Sequence, residues 1–212
     1  EAEGKTAVVL ATTTEPLAVL AVADAIRESS VQAIRELNAM GIRTLMLSGD
    51  NQQTASTIAA QVGITDARGN LLPEDKLKVV SELQAAGEVV GMVGDGVNDA
   101  PALAKSFIGF AMGAAGTDTA LETADVALMK DDLRKLPAFI SLSRQASRVL
   151  WQNITVALGI KAVFFGLALA GMATLWMAVF ADVGASLIVV FNGLRLLRSG
   201  NGMKHQEAGD AP

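Results

Sequence analysis

Two hydrophobic patterns divide the chain. Up to about residue 136, short apolar runs alternate with polar segments whose apolar residues recur at helical spacing. "LAVLAVAD" (17–24) reads as a strand. In "SVQAIRELNAM" (30–40), Val31, Ile34, Leu37 and Met40 fall on one helical face, with Ser30 placed to cap the start and Gly41 the end. "IRTLMLS" (42–48) predicts a second strand, and "NQQTASTIAAQVG" (51–63) a second helix closed by Gly63. "PEDKLKVVSELQAAG" (73–87) predicts a third helix, with Pro73 in its first turn. "EVVGMVG" (88–94), "FIGFAM" (107–112) and "DVALM" (125–129) supply three more strands. Strands without polar alternation, separated by helices, predict an α/β fold with a parallel sheet covered on both faces. In such sheets chemistry sits just beyond the carboxyl ends of the strands.

From residue 154 the pattern changes. "ITVALGIKAVFFGLALAG" (154–171) is apolar or small except for Thr155 and Lys161, and "LWMAVFADVGASLIVVFNGL" (175–194) carries Asp182 as its one charge. Each is about the length a bilayer-spanning helix requires. Two buried core helices are the bland alternative, disfavoured because two such runs back to back exceed what a small core holds. Arg144 and Arg148 precede the first run, and Arg195, Arg198 and Lys204 follow the second. This asymmetry places both ends in the cytosol and the turn at 171–174 outside. Residues 137–153 are expected to form a helical stalk and 198–212 a cytosolic tail.

Composition narrows the chemistry. Of 212 residues, 51% are hydrophobic and 18% charged, which is apolar for a purely soluble domain. A net charge of −5 argues against a nucleic-acid partner. The absence of cysteine excludes disulfides, thiolate metal sites and cysteine nucleophiles. No signal peptide is visible, and a first residue of Glu1 rather than Met sets the expectation of a fragment or processed product.

The predicted rim selects residues. The second strand ends in Ser48, Gly49 and Asp50, and the third in "GDGVNDAPALA" (94–104), which contains Asp95, Asn98 and Asp99. Lys76 lies early in the helix between them. A hydroxyl and a lysine can bind phosphate oxygens, while carboxylates supply hard ligands for Mg²⁺ or hold the lysine. A lone Ser-Gly-Asp is more often an ordinary turn. The eleven-residue string 94–104 is much harder to read that way.

That string resembles the signature of the P-type transport ATPases, a branch of the haloacid dehalogenase superfamily. "MLSGDN" is similar to their Thr/Ser-Gly-Asp motif, "LLPEDK" to their Pro-x-x-Lys motif, and "FAMGAAGTDTALETADVAL" to the segment after the signature. "GKTAVVLA" and "AVADAIR" resemble the end of the nucleotide-binding domain and the hinge that follows. The resemblance implies that 1–16 close a nucleotide-binding domain and 17–136 form the phosphorylation domain, ahead of a two-helix transmembrane hairpin over 154–197. It also implies roles. Asp95 would bind Mg²⁺ with the aspartyl phosphate, Ser48 would contact phosphoryl oxygens, and Lys76 would neutralise phosphoryl charge. Asn98 and Asp99 would support the cluster, Asp99 by holding Lys76. Gly49 and Asp50 would shape the phosphate-side loop, and Asp24 and Arg27 fit a hinge. ATP would be the substrate of the full pump.

The family's Asp-Lys-Thr-Gly-Thr nucleophile string does not occur, nor does its Thr-Gly-Glu loop. Asp131 and Asp132 follow a strand, but lack the flanking groups that activate a nucleophile and read as the start of a helix. The expectation is the C-terminal portion of a pump, inactive in ATP hydrolysis by itself, whose N-terminal portion is its partner. Two alternatives come from other classes: a non-catalytic membrane-anchored module that binds phosphate and Mg²⁺ or regulates a pump, and a membrane-tethered phosphatase.

Counting from the turn, Lys161 and Asp182 both lie roughly 14–17 Å from the outer surface, near the midplane. Ionisable residues at that depth mark ion paths more often than structural pairs. The run "FADVGASLIVVFNGLRLL" and the lysine of "ITVALGIKAVFF" resemble the last two membrane helices of zinc/cadmium/lead-exporting P-type ATPases. On that resemblance Asp182 offers a carboxylate to a divalent metal ion such as zinc, cadmium or lead, and Lys161 a built-in counter-charge. His205 and the scattered methionines read as solvated or packing residues, not ligands.

Overall fold

A computed structural model describes residues 6–12, 15–22, 26–95, 98–112, 123–128 and 131–209, with backbone alone for 6–9, 19–22 and 197–209. Asp24, Gly96, Val97 and most of the stretch after the signature lie outside the described residues, as does the side chain of His205. The chain divides into two compact units, Glu1–Pro137 and Ala138–Pro212.

In the first unit, β1 (Thr6–Ala11) pairs antiparallel with β2 (Pro16–Val22). The described part of the 17–24 run, up to Val22, is therefore a strand, but in a hairpin and not in a parallel sheet. α1 (Glu28–Ala39) starts earlier than its apolar periodicity suggests. Arg27 occupies the N-cap without a side-chain cap bond, and Ser30 lies inside the first turn. Glu28 in that turn suits the positive end of the helix dipole. β3 (Leu45–Leu47) pairs in parallel with β4 (Asp66–Arg68). Between them runs α2 (Gln52–Val62), capped by the Asn51 side chain and ended by Gly63 at φ 87°. That left-handed conformation suits glycine. α3 (Pro73–Ala85) has Pro73 at its first position and is followed by β5 (Gly91–Gly94) and α4 (Ala100–Lys105). β6 (Ile108–Met112) pairs in parallel with β5 on one side and with β7 (Val126–Leu128) on the other, in the order β5-β6-β7.

The predicted parallel pairing is present, but in two separate sheets. Among the described residues β3 pairs only with β4, and β5 only with β6. The core next to the candidate rim is built from Val80 of α3, Met92 of β5, and Ala102 and Leu103 of α4, with Val90 packed against it. It clamps α3 and α4 to the same side of β5, which positions the residues discussed below.

The second unit is made almost entirely of α5 (Lys135–Leu169), which begins at the end of the first unit, and α6 (Leu175–Gly209). Residues 137–153, expected as a stalk, and the first apolar run are thus one continuous helix, which starts at Lys135, after Asp131 and Asp132. Asp131 instead adopts φ 50°, in the left-handed region. The turn between the helices has Gly171 at φ 72°, and its amides return to Ala168 and Leu167 carbonyls. Thr174 Oγ1 then accepts from the Met177 amide at the start of α6. Lys135–Leu169 and Leu175–Leu196 are long and apolar enough to cross a membrane. Their most apolar windows are 0% and 6% buried, unlike core helices of a soluble protein.

Candidate functional site

The site starts where β3 ends. Ser48 donates its amide to Arg68 O (2.9 Å) and accepts the Leu71 amide at its carbonyl (3.0 Å). Its hydroxyl donates to Asp50 Oδ2 (2.9 Å) and accepts from the Asp50 amide (3.1 Å). The hydroxyl and carboxylate of the Ser-Gly-Asp loop therefore brace one another. Asn70, at φ 56°, donates its amide to Asp50 O. The Gln52 side chain locks the other wall, accepting from Gly69 N (2.7 Å) and donating to Ala67 O (2.8 Å). A Cβ on Gly69 would lie 2.5 Å from Gln52 Cα, so this close approach requires glycine. Gly49 has no such constraint, since a Cβ there would meet only Leu71 O at 3.5 Å.

From Leu71 the chain enters α3. Lys76 donates its amide to Leu72 O, so its side chain leaves from the first turn. Lys76 Nζ reaches Asp99 Oδ1 at 2.7 Å, with only 13% and 14% of the two side chains exposed. Asp99 sits at the N-cap of α4 without capping it through its side chain, which leaves the carboxylate to the lysine. Gly94 makes this possible, because a Cβ there would fall 2.6 Å from Asp99 Oδ2. The Ser48–Leu71, Leu72–Lys76 and Lys76–Asp99 hydrogen bonds, joined by the Leu71–Leu72 peptide bond, thus connect the carboxyl ends of two sheets. Asp95, directly after β5, and Asn98 are exposed beside it.

β4 and the Gly69-Asn70 turn hold the Ser48 loop, yet "DAR" carries no apolar run to signal a strand. The Gly-Asn pair was the available turn signal. Further along, Arg27 Nη1 donates to Asp131 O at 3.3 Å. The Arg134 guanidinium is hydrogen-bonded to Asp132, which holds that carboxyl below its ordinary range despite partial burial. Asp132 is thereby committed to a local ion pair.

Among the described residues, no three His, Cys, Asp or Glu side chains gather as a metal centre. Mg²⁺ is compatible with that, since it commonly takes one or two carboxylates, waters and a substrate phosphate. Asp95 at the rim fits such a sparse donor set. In the second unit, Lys161 and Asp182 are both exposed on their helices, and no ion pair joins them among the described residues.

Residues 1–106 match the haloacid dehalogenase-like hydrolase family. A probable cadmium-transporting ATPase of Alkalihalophilus pseudofirmus is 54% identical over 197 residues, covering 92% of this chain and 27% of the relative. The zinc/cadmium/lead-transporting P-type ATPase of Escherichia coli is 47% identical over 198 residues, covering 93% and 27%. The crystal structure of a zinc-transporting PIB-type ATPase in its E2.Pi state superposes with a TM-score of 0.84 at 45% identity, covering 92% of this chain and 32% of that one. The chain therefore spans about a quarter of the length of the curated relatives it matches. With half its length matching the family, and with the parallel strands and rim residues above, the chain belongs to the haloacid dehalogenase-like hydrolases.

Proposed function

We propose that the chain is the C-terminal part of an ATP-driven export pump for a divalent heavy-metal cation of the zinc, cadmium and lead class. It contributes the Mg²⁺-binding half of the phosphorylation site and part of the membrane ion site. The observation that carries this reading is the part-buried Lys76–Asp99 pair at the strand rim, on a segment whose Leu71 amide is hydrogen-bonded to Ser48. A lysine held at a sheet rim by a carboxylate, beside a hydroxyl and an exposed aspartate, suits a phosphoryl group. Asp95 would hold Mg²⁺, which when bound neutralises phosphoryl charge. Ser48 would bind a phosphoryl oxygen with its hydroxyl, and Lys76 would present a positive charge oriented by Asp99. Asn98, Gly49 and Asp50 would complete the loops around it.

The nucleophile would come from the rest of a longer protein, in keeping with relatives that extend well beyond this chain. β3 and β5 each have one edge unpaired among the described residues, so a strand from that remainder can add to the parallel pairing. In the membrane, surrounded by lipid, Asp182 would offer a hard ligand to the metal and Lys161 a counter-charge that favours its release. The test is metal-stimulated ATP hydrolysis by the intact protein. Asp95→Asn and Asp182→Ala should each abolish it, and the isolated chain should have none. Sustained Mg²⁺-dependent turnover by the isolated chain, lost in Asp95→Asn, would overturn the half-site reading and favour a self-contained phosphatase.

A further inference from the structure

The two long helices share a polar contact that the proposed ion site does not use. Asn192 Nδ2 of α6 donates to Asn153 Oδ1 of α5 at 2.9 Å and lies 3.3 Å from Gln152 Oε1. Asn153 Nδ2 in turn points to the Val189 carbonyl at 3.4 Å. Arg195 Nη1 donates to Asn192 Oδ1 at 3.0 Å, so the Asn192 amide uses both its oxygen and its nitrogen. Asn153 and Asn192 are part-buried, and their neighbours on the same faces, Val149 and Ala185, are each 7% exposed. Along the faces that carry Val149, Ile160, Ala181 and Ala185 the residues are apolar, and apolar surfaces slide past one another without a strong preference for register.

The contact sets levels. Lys161 lies eight residues beyond Asn153, about 12 Å along α5, and Asp182 lies ten residues before Asn192, about 15 Å along α6. Their heights agree to roughly 3 Å. It also sets a side. Lys161 follows the part-buried Ile160 by one residue, and Asp182 follows the part-buried Ala181 by one residue. Each is rotated about 100° from the contact line in the same sense. In an antiparallel pair, equal rotations of one sense bring both side chains to the same side of the hairpin.

We infer that the Asn153–Asn192 clasp sets the register of the two helices, and through it keeps Lys161 and Asp182 level on one side of the hairpin. Asn153 and Asn192 are positioning residues, and the use of that register rests on the ion-site reading above. A slip by one turn in the direction that brings Ile188 level with Ile160 would widen their height difference from roughly 3 Å to roughly 8 Å.

The absence of cysteine in the chain makes register directly measurable. Paired cysteines are introduced into the full chain in lipid bilayers and joined by a bifunctional thiol reagent with a reach of about 10 Å, matching helix–helix spacing. Ile160→Cys with Gly184→Cys reports the observed register, and Ile160→Cys with Ile188→Cys reports a slip of one turn. A Cβ on Gly184 meets nothing within 4 Å, so the first pair is accommodated. Leu169→Cys with Leu175→Cys, flanking the turn, reports hairpin formation. The observed-register pair should couple about fivefold better than the slipped pair, in line with the worth of one interhelical hydrogen bond. In Asn153→Leu/Asn192→Leu, which removes both partners of the central bond and leaves neither asparagine amide stranded, that preference should fall toward unity while the turn pair couples as before. An unchanged preference would overturn the inference. Loss of the turn pair as well would also overturn it, by making the clasp a requirement for the hairpin itself. None of these readouts depends on transport, so failure of the ion-site reading would appear separately, as metal-stimulated hydrolysis unaffected by Asp182→Ala.

Discussion

Replacing Asp99 by Asn keeps the shape of the side chain and removes its charge, leaving Lys76 without its counter-ion. At the observed 2.7 Å, an effective dielectric constant of about 20 gives a gross attraction of roughly 6 kcal/mol. Desolvation of both ions offsets much of that. Breaking a fully buried pair costs about 3–5 kcal/mol, and breaking an exposed one about 0–1 kcal/mol. With 13% and 14% of the side chains exposed, this pair lies near the buried end, and about 2–3 kcal/mol is expected. Tryptophan fluorescence cannot report this, because Trp151 and Trp176 both lie in the long helices. Hydrogen exchange over Pro73–Ala85 can, because Lys76 anchors the first turn of α3. Loss of about 2–3 kcal/mol would speed exchange roughly 30- to 150-fold where amides exchange through this opening. Lys76→Met should do much the same, and Lys76→Met/Asp99→Leu should recover most of the loss, because no ion is then stranded. A coupling energy below about 0.5 kcal/mol would refute the view that the pair holds the rim together.

Gly69→Ala should destabilise the first unit by more than about 2 kcal/mol, since the new Cβ meets backbone atoms of Gln52 and Asn51 that cannot swing away; a circular-dichroism melt unchanged from the parent would contradict it. Leu103→Ala empties a fully buried position against Val80 and Met92 and should cost about 2–4 kcal/mol in chemical unfolding. Arg134→Leu removes the group that lowers the Asp132 pKa, so the carboxyl should titrate higher in carbon NMR of labelled aspartate. The stabilisation from a lowered carboxyl pKa is present above the unfolded value of about 3.9 and lost as pH falls through the folded value. The stability difference between parent and variant should therefore be full at pH 7 and disappear in acid; a difference that grows on acidification would be the wrong sign.

Much of this was legible along the chain. Apolar runs marked β3, β5, β6 and β7, because strands of a parallel sheet pack side chains on both faces even where, as in β7, one face stays partly open. Pro73 and Gly63 marked helix ends through constraints that act within a few residues. β4 was not legible, because three residues of mixed polarity become a strand only when β3 is there to pair with them. The start of α1 was misplaced for a similar reason, since periodicity marks the buried face and not the first turn. The partner of β2 also escaped the pattern, which records that a segment is extended but not which strand lies beside it.

The same division runs through the site. Which residue types stand after each strand, and that two segments are long and apolar enough to span a bilayer, are properties of composition and spacing, set by the chain itself. The family resemblance already implied that Asp99 holds Lys76, but that the Ser48 loop hangs on Gly69 and Asn70 and that Asn153 meets Asn192 were decided by tertiary structure alone. Each depends on bringing together residues between about 20 and 40 positions apart in the chain, within the few ångströms over which hydrogen bonds and steric contacts act.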